Sequence, residues 1–431
     1  MGLILTLIYF LYMYVSPATW IPWLSTITVQ PFIAALAVLS TVPRFLTRSP
    51  FKASPPLLLF AAFCVLAALS RGLHGWFGGI PEALYAVVIP AFFLFLIPLN
   101  VDTTARRRVL IIALFCSMLG LALAGIHDYH LAPDESKFVM LQSVDVDEDA
   151  AANGNNPAFY RLKAQGLIDD PNDFAQMLLV TLSLSFSLWS RKWLANILFV
   201  LIPGSILLYA VYLTHSRGAL VAIGVMIAVA FRRKLRLLGS LVVASIVAAG
   251  MLFSNFTGGR EIGLSGGVDR LEIWSEGWEM LKQSPLYGHG LGSYGDAVNI
   301  AAHNSFILVA AELGLVGLVI WVSIFVVSFA QLSRIVTPAD GTPPDPTLRQ
   351  HALCLETALA AFLATSWFLS RALYPVSFLL IGIVGGLVYQ ESVRRPGAEL
   401  MPRWKTCIIW SVAASAAALA VLYVMLRLKA V

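Results

Sequence analysis

The chain has 431 residues, 58% of them hydrophobic and 12% charged, with a mean hydropathy of +0.80 and a formal charge of +5. That composition excludes an ordinary soluble domain and defines a polytopic membrane protein. In lipid only helices and closed barrels satisfy their own backbone hydrogen bonds, and the long unbroken apolar runs exclude the barrel.

Taken in chain order, apolar runs predict all-α architecture with spans at 3–15, 29–42, 56–69, 82–98, 109–126, 174–189, 193–213, 219–231, 237–253, 305–329, 352–369, 376–389 and 407–426. The first run lacks a basic leader and a small-residue cleavage site, so it is expected to stay as an uncleaved helix. Cys64, Cys116, Cys354 and Cys407 all fall inside spans as small apolar residues, and no disulfide framework is implied. Residues 1–431 are expected to form one transmembrane domain.

Lys and Arg clusters such as Arg106-Arg107-Arg108, Arg191-Lys192, Arg232-Arg233-Lys234 and Arg394-Arg395 belong in the cytoplasm. Alternate loops then hold 18 cations inside and 9 outside. Arg427 and Lys429 fall outside if all thirteen spans cross, so twelve or thirteen is the expected number. With this orientation two long loops, 127–173 and 254–302, reach the outer face, carry short surface helices and gather the chain's chemistry.

The first loop holds ten of the 24 carboxylates, including Asp145-Val146-Asp147-Glu148-Asp149. Such a block repels itself and stays hydrated, so it reads as a solvated stretch rather than a metal site. His127 and His130 stand three residues apart, but no third ligand follows at a recognisable spacing and Pro133 interrupts the segment. No metal or other cofactor is expected.

Thr214-His215-Ser216-Arg217-Gly218 opens an apolar helix. Ser216 can cap it, so free N–H groups and the positive dipole end would point outward beside the Arg217 guanidinium. Two readings fit: a fork that grips diphosphate oxygens, or an interfacial arginine reaching headgroups. Arg161 and Arg270 favour the first, because each stands in a local pattern of its own on the same face. Leu271, Trp274, Trp278 and Leu281 share one helical face, which is expected to lie on the membrane surface and hold Arg270 at headgroup height.

The run Pro285-Leu286-Tyr287-Gly288-His289-Gly290-Leu291-Gly292 follows no strand and lacks the lysine and serine of a P-loop, so a nucleotide site is rejected. Its glycines suit a close backbone approach, and His289 reads as structural. His303 suits proton transfer, since imidazole accepts a proton near neutral pH without prior charge. Glu312, nine residues on, falls on the opposite helical face about 13 Å away, and is assigned to packing or a buried hydrogen bond.

In order, Ser216-Arg217-Gly218, Arg270 with Trp274, Pro285 to Gly292, His303-Asn304 and Glu312-Leu313-Gly314 resemble the pattern of the O-antigen ligase and polymerase superfamily of bacterial membrane glycosyltransferases. The resemblance covers roughly residues 161–317. It implies a metal-independent, inverting transfer of a glycan from undecaprenyl diphosphate to an acceptor hydroxyl at the periplasmic face of the inner membrane. Arg161, Arg217 and Arg270 would bind the diphosphate and His303 would activate the acceptor, all four converging on one cavity. The acceptor would be lipid A-core, a growing glycan or a protein. Membrane lipids are expected partners and nucleic acid is not. Ligase is the preferred reading, with polymerase open. A transporter or flippase needs charges buried near mid-bilayer in several helices, whereas Glu356 is the main such charge here.

Overall fold

A computed structural model describes residues 1–26, 28–47, 55–143, 158–253, 256, 268–401 and 403–429. In chain order the longer helices are α1 (Gly2–Val15), α2 (Val29–Thr47), α3 (Pro55–Leu73), α4 (Gly79–Asn100) and α5 (Thr104–Leu131). A hairpin of β1 (Val139–Ser143) and β2 (Ala158–Leu162) follows, then α6 (Pro171–Ser185), α7 (Trp193–Leu213, with a π turn at Ile197–Leu201) and α8 (Arg217–Phe253). The rest comprises α9 (Val268–Gln283), α10 (Ser293–Val298), α11 (Ser305–Val336), α12 (Pro346–Ser366), α13 (Pro375–Arg394) and α14 (Trp404–Lys429).

Among the described residues, nine helices are long and apolar enough to cross a membrane. The protein is an all-α, multi-pass membrane protein. Each of the thirteen apolar runs is helical over most of its length, with Trp189 and residues 367–369 outside the helices. The runs 219–231 and 237–253 both lie in α8, whose helical dihedrals are interrupted at Arg236 (φ 56°, ψ 172°). A second interruption, at Gly314 (φ 66°, ψ −169°), divides α11.

The chain divides into two compact units. The first contains α1, the start of α2, α5 to α8, the hairpin and the middle of α12. At its centre α6 packs on α7 and α8 and is buried along almost its whole length. Pro171 at the first turn and the Asp170 side chain, accepting from the amides of Asn172 and Asp173, explain why α6 starts there. Gln176 would be costly in so apolar a place without a partner. Its amide donates to Thr365 Oγ1 and the Phe362 carbonyl.

The second unit contains α3, α4, α9, α10, α11, α13 and α14. Lipid tails are as apolar as leucine, so helix pairing there depends on close fit. Gly382 and Gly386, one turn apart on α13, supply it against α4: a Cβ on Gly386 would stand 2.5 Å from the Val101 carbonyl oxygen. Trp321 of α11 is fully buried and its indole N–H donates to the Ala372 carbonyl at 2.9 Å, so the aromatic burial leaves no orphaned donor.

Candidate functional site

In the first unit the site is built around Arg161 on β2. Strand pairing places Met140 opposite it, and the side chain is 3% exposed. Nε donates to the Thr214 carbonyl at 2.8 Å, one terminal nitrogen to Gln142 Oε1 at 2.7 Å and the other to Asn172 Oδ1 at 3.0 Å. These three acceptors are neutral, and together they fix the plane of the guanidinium. Asn172 Oδ1 also accepts from Ser216 Oγ at 2.8 Å. Arg161 thereby clamps the turn that carries Arg217, joining the strand, the start of α6 and the start of α8.

Arg217 is the first residue of α8 and is half-buried. The Ala219 amide donates to the Ser216 carbonyl at 3.0 Å and approaches Ser216 Oγ at 3.4 Å, so Ser216 stands at the helix entry as its sequence position predicts. His215 just before it adopts a left-handed backbone (φ 49°) that a non-glycine residue rarely holds. Its ring secures it: Nδ1 bonds the Phe256 carbonyl at 3.0 Å, Nε2 meets the Tyr129 hydroxyl at 3.4 Å, and Phe159 and Tyr212 pack against it. His130 bonds the Tyr209 hydroxyl at 2.8 Å, and His127 bonds Asp128 at 3.1 Å.

In the second unit His303 precedes Asn304, the N-cap of α11, whose side chain accepts from the amides of Phe306 at 2.8 Å and Ile307 at 3.1 Å. The Asn304 amide nitrogen is buried without a hydrogen-bond partner among the described residues, which leaves its N–H donors beside His303 unused there. His303 is half-buried, with φ 50°. Its backbone N–H donates to Ser370 Oγ at 2.8 Å, while Ser305 Oγ donates to the Leu369 carbonyl and accepts from the Arg371 amide. Two chain segments are thus stitched together at the histidine.

Arg270 is half-buried near the start of α9. The apolar face expected on the membrane surface turns inward instead. Leu271, Trp274 and Leu281 are buried, and Trp274 Nε1 donates to the Ala302 carbonyl at 2.9 Å. Leu271 and Trp274 pack with Tyr294, Ile307, Ala311 and Leu422, because α11 and α14 offer that face a better match than headgroups do. Burial raises the Tyr294 phenol above its ordinary range, with Glu276 and Glu312 adding to the effect.

The glycine run and the Glu-Leu-Gly motif interlock. Where α11 breaks at Gly314 its backbone groups lose their helical partners, and the loop replaces them. The amides of His289 and Gly290 donate to the carbonyls of Ala311 and Glu312, and the Leu315 amide donates to the Pro285 carbonyl. Glu312 Oε1 accepts from the Tyr294 amide at 3.3 Å, the buried hydrogen bond expected of it. His289 bonds the Met280 carbonyl at 2.9 Å, in keeping with a structural part.

The structure therefore brings Arg161 to the Arg217 turn, and ties α9, which begins beside Arg270, to the residue before His303. Sequence reasoning missed Gln142 and Asn172 as the acceptors of Arg161, the hairpin that carries it, and Ser370. Asp170-Pro171-Asn172 was the available signal, since an Asp-Pro pair marks a helix start and Asn172 falls in its first turn. The acidic run 145–149 lies outside the described residues.

A family model described as O-antigen ligase matches residues 202–322. That segment, which is similar to the O-antigen ligase family, contains Arg217, Arg270, His303 and Glu312. Arg161 precedes the matched residues. No curated protein matches the chain.

Proposed function

We propose that the protein transfers a glycan from undecaprenyl diphosphate to an acceptor hydroxyl at the periplasmic face of a bacterial inner membrane. Arg217, Arg161 and Arg270 receive the diphosphate, and His303 takes the proton of the acceptor hydroxyl. The oxygen so activated attacks the anomeric carbon from the face opposite the diphosphate, which inverts that centre. The anomeric C–O bond breaks and its electron pair leaves with the diphosphate. Fixed guanidinium groups stabilise that growing charge without a metal.

The observation that carries this reading is the Arg161 clamp. A buried arginine donates to the Thr214 carbonyl of the turn that presents Arg217 at a helix start, and a second donor reaches that turn through Asn172, whose side-chain oxygen also accepts from Ser216. A helix N-terminus with an adjoining guanidinium favours phosphate. Attachment of a finished glycan to lipid A-core or protein is the preferred form, and stepwise polymerisation is its counterpart within the superfamily.

The test is to incubate purified protein with a lipid diphosphate-linked glycan and candidate acceptors, following lipid diphosphate release and product length. Release with a single defined product supports ligation, and a ladder of lengths supports polymerisation. Movement of intact donor across the bilayer without release would overturn the reading in favour of a flippase.

A further inference from the structure

Arg71 lies in the last turn of α3 and is 7% exposed. By the alternation of spans its loop belongs to the outer face. Its side chain runs along the glycine loop. A Cβ on Gly290 would stand 2.9 Å from Arg71 Cδ, and one on Gly292 would stand 2.7 Å from Nη2. Glycine at both positions is what leaves the guanidinium its room. The Trp76 ring covers it at 4.6 Å from centroid to Cζ.

Among the described residues the hydrogen-bonding capacity of Arg71 is not filled. Nε is buried without a hydrogen-bond partner among the described residues, whereas buried donors are ordinarily matched. Nη1 reaches Asp296 Oδ2 only at 3.9 Å, and the Asp296 side chain is 75% exposed, so that pair is weak. Glu312 is near enough to attract Arg71 electrostatically, but its carboxylate is hydrogen-bonded to the loop backbone at the Tyr294 amide and makes no hydrogen bond to the guanidinium.

We infer that Arg71 is a phosphate-binding residue for the lipid diphosphate, with Asp296 as a displaceable counter-ion that holds the guanidinium until the diphosphate arrives. The inference rests on the proposed use of a lipid diphosphate donor. Arg71 presents the planar fork that matches phosphate oxygens, and Trp76 and the glycine loop fix its plane. Asp296, being exposed, can swing into water at little cost. No covalent bond changes in this step.

Binding of undecaprenyl diphosphate to the full-length protein in detergent, followed by Trp fluorescence, tests it with the variants Arg71→Ala, Asp296→Asn and Arg217→Ala. Arg71→Ala should weaken binding at least about tenfold, the factor carried by a lost charge-assisted hydrogen bond. Asp296→Asn should tighten it about two- to fivefold, the worth of an exposed ion pair. A structural role for Arg71 would not produce that gain, and the exposed site can be substituted without loss of the fold. Inorganic diphosphate should compete, and phosphatidylglycerol at the same concentration should not; displacement by phosphatidylglycerol overturns the inference. Wild-type affinity in Arg71→Ala with weakened binding in Arg217→Ala overturns it while leaving the proposed function standing. Unchanged affinity in Asp296→Asn overturns it as well, and wild-type affinity in both arginine variants overturns inference and proposed function together.

Discussion

Gly288 and Gly314 open one backbone crossing from opposite sides. A Cβ on Gly288 would stand 2.3 Å from the Glu312 carbonyl carbon, and a Cβ on Gly314 would stand 2.3 Å from that of Leu286. Both glycines have positive φ, 65° and 66°. Two motifs that are separate in the sequence are therefore halves of one joint, and the joint sets where Glu312 and the glycine loop stand.

Gly314→Ala should accordingly destabilise the protein by more than the roughly 1–3 kcal/mol that a strained backbone conformation costs alone, since a backbone overlap adds to it. Thermal unfolding in detergent checks this, with Gly250→Ala as a control, because a Cβ there meets no atom within 4 Å. Equal stability of the two variants would contradict the joint.

Asn172→Ala removes the oxygen shared by Arg161 and Ser216. Leaving buried donors short of an acceptor costs about 1–3 kcal/mol, and the turn before Arg217 should loosen. We expect a raised KM for the donor with a smaller change in kcat, measured by steady-state transfer. Arg161→Lys should behave alike, because an ammonium cannot span Thr214, Gln142 and Asn172 in one plane.

Glu356→Gln should lower stability and leave the donor KM unchanged. Its carboxylate receives Arg232 at 2.8 Å and Arg233 at 3.4 Å, and is itself 2% exposed. Removing one partner of a fully buried pair costs about 3–5 kcal/mol. Here both arginines are about one-third exposed and water screens them, so about 1–2 kcal/mol is expected. Thermal unfolding and the donor KM, taken together, separate this structural pair from the Arg161 clamp.

Alkaline unfolding should carry the mark of Tyr294. Burial raises its phenol in the folded state, so the folded chain holds that proton more tightly than the unfolded one. The contribution is complete below the ordinary tyrosine range near pH 10 and fades as pH rises through the folded value. Stability measured from pH 8 upward should fall less steeply in Tyr294→Phe than in the wild type.

The helices were legible because apolar runs of spanning length have few alternatives in lipid, and every such run proved helical over most of its length. The hairpin was not, since 139–143 and 158–162 are short and the acidic stretch between them suggests solvation rather than pairing. The inward face of α9 was misread for a related reason. Leu271, Trp274 and Trp278 fit a membrane surface as well as a protein groove, and only the packing partners on α11 and α14 distinguish the two. Arg161, Arg217, Arg270 and His303 stood out as charges or a base at helix mouths. Arg71 did not, because a lone arginine at a span end looks like any interfacial cation until the glycine loop is seen beside it.

The account is tested most directly by the release of undecaprenyl diphosphate from a glycan-loaded donor, measured for the wild type, Arg217→Ala and His303→Ala at equal levels of folded protein. Loss of release in both variants, by about 100-fold or more for His303→Ala as befits a general base, is the predicted result. Release at the wild-type rate by either variant would contradict it.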